Sequence, residues 1–125
     1  LHTAYRRQRQ MCIRDRAAAF SGRGYTRATN QVKPDLVAPG VEIMSCAPGG
    51  GYQVRTGTSM ATPFVTGSAA LLMQWGIVNG NDAYLYGEKM KAYLIRGARK
   101  LPGFTVYPNP VLGWGALCTA NSIPR

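Results

Sequence analysis

Between Arg55 and Asp82 the chain carries no charged residue, and what fills that interval decides what the chain can fold into. A membrane span needs about 20 predominantly apolar residues. This interval holds Gly57, Pro63, Gly67, Gly76 and Gly80 with many Thr, Ser and Asn, and its longest purely apolar run is Ala69 to Met73. It reads as a buried core segment, and no membrane span is expected. Thr62 followed by Pro63 fits an N-cap with proline at the first helical position, and the helix is predicted to reach Gln74 or Trp75 before Gly76. Phe64, Val65, Ala69, Ala70, Leu71, Leu72 and Met73 make it apolar nearly all round, so it is expected to be central and buried. The small residues Gly67, Ser68, Ala69 and Ala70 would allow a neighbouring sheet to come close.

The other elements are shorter. Leu36-Val37-Ala38, stopped by Pro39-Gly40, suits a buried strand of a parallel sheet. Residues 41 to 55 read as a hairpin, with Val41 to Ser45 and Tyr52 to Arg55 as strands and Gly49-Gly50-Gly51 at the tip. A second helix is predicted from Asp82 as N-cap to about Arg96, with Ala83, Tyr86, Met90, Tyr93 or Leu94, and Gly97 as its inner stripe. Residues 101 to 112 form a proline-rich loop, and Gly113 to Leu117 open a last helical segment ending near Asn121. A strand, a hairpin and a buried helix give an α/β class. Leu36 to Ala38 would need parallel neighbours, and none with a crossover helix precedes it.

One core is all that 125 residues support. The chain is 46% hydrophobic and 16% charged, which argues against a disordered polyelectrolyte, yet its net charge is +10. Residues 1–16 hold Arg6, Arg7, Arg9, Arg14 and Arg16 against Asp15, so +6 of the +10 remains without them. Back-translated, Arg6 through Asp15 resembles the tagmentation adapter of short-read sequencing libraries. Residues 1–16 are therefore expected to be a non-native leader, and residues 17–125 the natural sequence. Arg96, Arg99 and Lys100 cluster at the end of the second predicted helix, where the helix dipole favours cations. No basic stripe interleaved with aromatics lies outside the leader, so no nucleic-acid partner is expected. Without the leader the only histidine, His2, is lost, and Cys46 and Cys118 remain. Neither the spacing nor a histidine supports a metal site. A disulfide between them and two separate thiols both stay open.

Chemistry concentrates in Gly57-Thr58-Ser59-Met60-Ala61-Thr62-Pro63. This run places a serine in a glycine-flanked turn immediately before a helix whose N-terminal amides point back towards it. A nucleophilic serine requires that setting: an exposed oxygen on a rigid support, with donors for the oxyanion it generates. A Ser or Thr at a helix start is also commonly just a cap, so the residue types alone leave both roles open.

Gly57 to Pro63, with Val65 and Gly67, resembles the nucleophile motif of subtilisin-like serine peptidases, the subtilases, usually written G-T-S-M-[AS]-[ST]-P-x-V-x-G. Phe20-Ser21-Gly22-Arg23-Gly24 and Lys33 to Gly40 are similar to that family's F-S-x-R-G and K-P-D-[IL]-x-A-P-G segments, and Gly113-Trp114-Gly115 to its closing G-x-G segment. The resemblance covers almost everything from about Ala18 onward. It implies the C-terminal portion of a three-layer α/β fold with a mostly parallel sheet, and a serine endopeptidase acting through an acyl-enzyme on Ser59. The Ser59 amide would be one oxyanion-hole donor. Gly57 would give the substrate backbone room, and the Thr58 hydroxyl would either contribute to the hole or only hold the turn. Asp35 resembles the family's structural aspartate. Phe64 stands where many members have histidine, outside the triad. Residues 80 to 103 are similar to subtilases of spore-forming anaerobic Gram-positive bacteria.

The family's aspartate in D-[ST]-G, histidine in G-H-G-T and oxyanion asparagine have no counterpart in these 125 residues, and His2 lacks glycine neighbours. A serine hydroxyl needs a histidine base that an aspartate orients. The chain as written is therefore expected to be inactive, and its partner would be the upstream remainder of the same catalytic domain. Peptide or protein is the implied substrate and an extracellular or envelope location the implied setting. No cofactor is expected, family calcium sites being unreadable here. The alternative is a non-catalytic module of the same fold that binds protein without cutting it.

Overall fold

The computed structural model describes residues 16–124, so the leader (Arg16 excepted), His2 and the terminal Arg125 lie outside the described residues. Four short strands come first: β1 (Gly24–Tyr25), β2 (Val32–Lys33), β3 (Ile43–Cys46) and β4 (Tyr52–Arg55). They form two antiparallel ribbons, β1 with β2 and β3 with β4. Three α-helices follow: α1 (Thr58–Met73), extended by a π-helical turn at Gln74–Val78, then α2 (Gly87–Gly97) and α3 (Thr119–Ser122). The expected α/β class holds.

The hairpin of residues 41 to 55 is present, with Ile43 opposite Arg55 and Cys46 opposite Tyr52. Gly49, Gly50 and Gly51 all take positive φ at its tip, which only residues without a β-carbon adopt in succession. Its first strand starts at Ile43 and not at Val41, because Glu42 sits at φ 53 and turns the chain before pairing begins. The β1–β2 ribbon was not anticipated; its two-residue strands are too short to show a period.

Val37 forms a parallel bridge with Ala116. Its amide donates to the Gly115 carbonyl at 3.0 Å, and its carbonyl accepts from the Leu117 amide at 2.8 Å. The parallel neighbour expected for Leu36 to Ala38 therefore follows it, after a crossover through α1 and α2. That bridge is the whole of the parallel pairing among the described residues. Gly113 to Leu117 are held in this bridge, in another with Arg99 and in a tight turn with Asn109, so this segment is extended and not helical; the last helix opens only at Thr119.

Both helix starts differ from expectation. α1 begins at Thr58 with Gly57 as N-cap, and Pro63 lies inside it. Pro63 is the sixth helical residue, past the first turn whose N–H groups are unpaired in any case, so it forfeits the bond to the Ser59 carbonyl. Thr62 donates its hydroxyl to the Thr58 carbonyl at 3.2 Å instead of capping. α1 does not stop before Gly76 either. A β-carbon at Gly76 would meet Leu85, so the glycine lets the helix run on over that side chain. The carbonyls freed by the π turn are taken by the Asn81 amide group, 2.7 Å from Trp75 O, and by Asp82 N–H, 2.9 Å from Gly76 O. α2 begins at Gly87 because that residue adopts φ 58, a left-handed conformation through which a helix cannot pass. Asp82 instead accepts from the Tyr84 amide and binds Lys89 at 2.7 Å.

The core is the cluster of Leu72, Leu85, Met90 and Leu94, flanked by Val65, Trp75, Tyr93, Leu117 and Ile123. Trp75 and Tyr93 meet in a tilted ring pair with centroids 6.1 Å apart. Met90, Leu94 and Gly97 of the predicted α2 stripe are buried, while Ala83 and Tyr86 are exposed and Leu85 takes the inward position. At the end of α2, Gly97 packs directly on Ser122 of α3. α1 is less buried than its composition suggests. Ser68 and Leu72 are enclosed, but Leu71 and Met73 stand about half exposed, and a β-carbon at Gly67 would meet open space. Among the described residues, α2, α3 and the segment before α3 cover one side of α1 only.

Candidate active site

Ser59 is the second residue of α1 and is exposed. Its hydroxyl engages no group among the described residues, and the N-cap position belongs to Gly57, so Ser59 is not a helix cap. The Met60 amide is taken by the Gly57 carbonyl at 3.1 Å. That leaves the amides of Thr58 and Ser59 as the open donors of the helix end, where the dipole is positive. The Thr58 side chain is likewise exposed and makes no capping bond. Among the described residues, an exposed hydroxyl thus stands beside two uncommitted N–H groups on a 16-residue helix.

Gly57 has an extended backbone at φ 160 and ψ 165. A β-carbon there would make only ordinary contact, 3.5 Å from Met60 Sδ. Neither strain nor internal packing therefore requires glycine at 57. Its amide donates to the Gly40 carbonyl at 2.7 Å, tying the start of α1 to the strand-like segment that ends in Pro39-Gly40. One step further along, the Glu42 amide donates to the Thr56 hydroxyl at 2.8 Å.

The other end of that segment is fastened too. The Trp114 amide donates to the Asp35 carbonyl at 2.9 Å, and Gly113, at φ 59, presses against the Pro34 and Asp35 carbonyls. The Asp35 carboxylate lies 2.6 Å from Lys33 Nζ and 2.9 Å from Lys91 Nζ. Partial burial works against its charge, but hydrogen bonds from Lys33 and Lys91 outweigh that and hold the carboxyl below its usual range. Asp35 is thus committed to a structural pair of lysines, as its motif implies.

A groove of about 240 Å³ lies between the β3–β4 hairpin and Met60, the residue after Ser59, with Ile43, Cys46, Gln53 and Arg55 along its walls. It was not foreseen in the sequence, although the alternation of β3 and β4 places Ile43, Gln53 and Arg55 within reach of one another. Cys46 and Cys118 are both unpaired thiols, which resolves the choice left open between them. Among the described residues no group of three or more His, Cys, Asp or Glu side chains could hold a metal ion.

A helix that opens on an exposed serine is thus stapled at its first turn to an A-P-G segment. The chain belongs to the subtilase family: residues 3–115 match the family model described as "Subtilase family", a range that includes most of the segment set apart above as a leader. It is 33% identical over 121 residues to the minor extracellular protease Vpr of Bacillus subtilis, covering 87% of this chain and 14% of that protein. It is 52% identical over 50 residues to an intracellular serine protease of Paenibacillus polymyxa, covering 40% of this chain and 15% of that one. Its fold superposes on the CspB protease of Clostridium perfringens with a TM-score of 0.79 at 49% identity, over 85% of this chain and 22% of the other. The α/β fold is therefore part of a subtilase domain, and the chain spans about a seventh to a fifth of the length of these relatives.

Proposed function

We propose that residues 17–125 are the nucleophile-bearing, C-terminal part of a serine endopeptidase domain, and that residues 1–16 are a non-native leader. Ser59 attacks the carbonyl carbon of the scissile peptide bond. A histidine base, oriented by an aspartate, takes its proton; both belong to the upstream remainder of the domain. As the acyl bond to Ser59 Oγ forms and the amine leaves with that proton, the negative carbonyl oxygen faces the helix end, where the Ser59 amide donates to it. Water then hydrolyses the ester and regenerates the hydroxyl. The observation that carries this reading is the exposed Ser59 hydroxyl beside the open amides of Thr58 and Ser59.

Gly57 supports the same reading from the substrate's side. Since nothing among the described residues demands glycine there, the missing side chain leaves room for a peptide backbone. Thr58 either adds a hydroxyl to the oxyanion site or only holds the turn. The substrate is a peptide or protein, the reaction needs no cofactor, and nucleic acid is not a partner. The helical stretch Thr58–Val78 has 21 residues, and an 18-residue window within it has a mean hydropathy of 1.2, enough by length and composition to cross a membrane. We read it as packing on protein, because Thr58, Ser59, Thr62, Thr66, Ser68 and Gln74 lie along it. The relatives' names divide between extracellular and intracellular. The extracellular relative aligns over the larger share of this chain, which supports a location outside the cell or in its envelope. The likeness to the Clostridium perfringens protein supports the subgroup reading.

The test has two parts. The complete open reading frame contains D-[ST]-G and G-H-G-T segments before Ser59, and its product hydrolyses a casein substrate while Ser59→Ala does not. A complete frame without those segments would favour the non-catalytic module. Long-read sequencing that found the codons of residues 1–16 in genomic context would return the leader to the protein.

A further inference from the structure

We propose that Gly40 is a positioning residue for the nucleophile: its bare α-carbon sets where the first turn of α1, and hence Ser59, comes to rest. The inference rests on Ser59 being the nucleophile. Two observations bear it. The Gly40 carbonyl accepts the Gly57 amide at 2.7 Å, fixing the residue from which α1 starts. A β-carbon at Gly40 would fall 2.7 Å from the Gly57 carbonyl oxygen and 3.3 Å from Ala61 Cβ.

Gly40 does not take a left-handed φ, so conformational freedom is not what glycine supplies here. Close approach is. The Gly57 carbonyl that would be displaced is the same one that accepts the Met60 amide at 3.1 Å, so it forms the first bond of the turn containing Ser59. Pushing it outward tilts that turn as a unit and moves the Ser59 hydroxyl and amide together. Relief of a 2.7 Å contact to the 3.4 Å at which ordinary contact begins needs a shift of roughly 0.7 Å. Catalytic groups must be held within about half an ångström, and a 1 Å error costs about 100-fold; alanine at position 40 is therefore expected to cost about tenfold.

The experiment uses the complete protein that carries residues 17–125, in the wild type and as Gly40→Ala, Gly40→Val and Ala61→Val. Ala61→Val crowds the same contact from the helix side and serves where a change at Gly40 prevents folding. Active sites are counted by titration with a serine-directed fluorophosphonate, and kcat is expressed per titrated site. The expected result is a fall in kcat per site of about tenfold for Gly40→Ala and more for Gly40→Val, with KM little changed. Ser68→Ala, a destabilising change away from the site, is expected to lower the melting temperature but not kcat per site. A Gly40→Ala or Ala61→Val protein that loses titratable sites or thermal stability, yet keeps wild-type kcat per site, would show a merely structural role and overturn the proposal. A wild-type protein with no titratable serine would instead overturn the reading of Ser59, and this proposal with it.

Discussion

A β-carbon added to Gly76 would lie 2.6 Å from Cδ2 of Leu85, the fully buried side chain that closes the core beneath the π turn. Neither partner can yield: Leu85 has no exposed surface, and Gly76 is held by its carbonyl bond to the Asp82 amide. Gly76→Ala is expected to destabilise the fold by about 1–3 kcal/mol through overpacking. Leu85→Ala, which opens a cavity at the same place, is expected to cost about 2–5 kcal/mol. Urea denaturation midpoints of the two variants against wild type check both values.

Ser68 and Thr119 share a hydroxyl–hydroxyl hydrogen bond of 2.6 Å that ties α1 to α3, and Ser68 also donates to the Phe64 carbonyl at 2.8 Å. Ser68 is buried. Ser68→Ala leaves the Thr119 hydroxyl without its partner and is expected to cost about 1–3 kcal/mol. Ser68→Ala combined with Thr119→Val should cost less than the sum of the two single changes. A double-mutant cycle by chemical denaturation measures the difference.

Asp35 gives the fold an acid-sensitive point. Its folded carboxyl titrates below the usual range because of Lys33 and Lys91, against the effect of burial. A carboxyl lowered in the folded state stabilises fully above its unfolded pKa, and that stabilisation is lost as pH falls through the folded value. Both lysine pairs are partly exposed and so are worth about 0–1 kcal/mol each. Wild type is expected to lose stability below about pH 4 more steeply than Asp35→Asn, while Asp35→Asn is the less stable of the two at neutral pH. Thermal melts from pH 2 to 7 check that the two stabilities converge as the carboxyl is protonated.

The parts legible in the sequence were those fixed by local chemistry. The glycine tip of the β3–β4 hairpin, the long apolar helix and the serine motif all depend on residues near one another in the chain, and all are present. The N-terminus of α1 is not legible locally, because Thr62-Pro63 is also a good start signal. The staple from Gly57 to Gly40, which sets the true start, is a contact between distant residues with no local trace. The same holds for α2, where Gly87 breaks the helix that Asp82 would otherwise cap. Val37 found its parallel neighbour in Ala116 because two helices separate them, a pairing invisible to any short window. For the candidate site, motif matching points to Ser59, Thr58 and Gly57, whereas the Gly40 contact and the groove beside Met60 required the folded arrangement.

Ser59 reactivity tests the central claim most directly. The complete protein, treated with a biotinylated fluorophosphonate and digested, is predicted to carry the label on the peptide containing Ser59, stoichiometrically and with loss of peptidase activity. The 125-residue chain, which lacks a histidine base in a G-H-G-T setting, is predicted to stay unlabelled under the same conditions. An unlabelled complete protein, or a label on a serine other than Ser59, would contradict the assignment of the nucleophile.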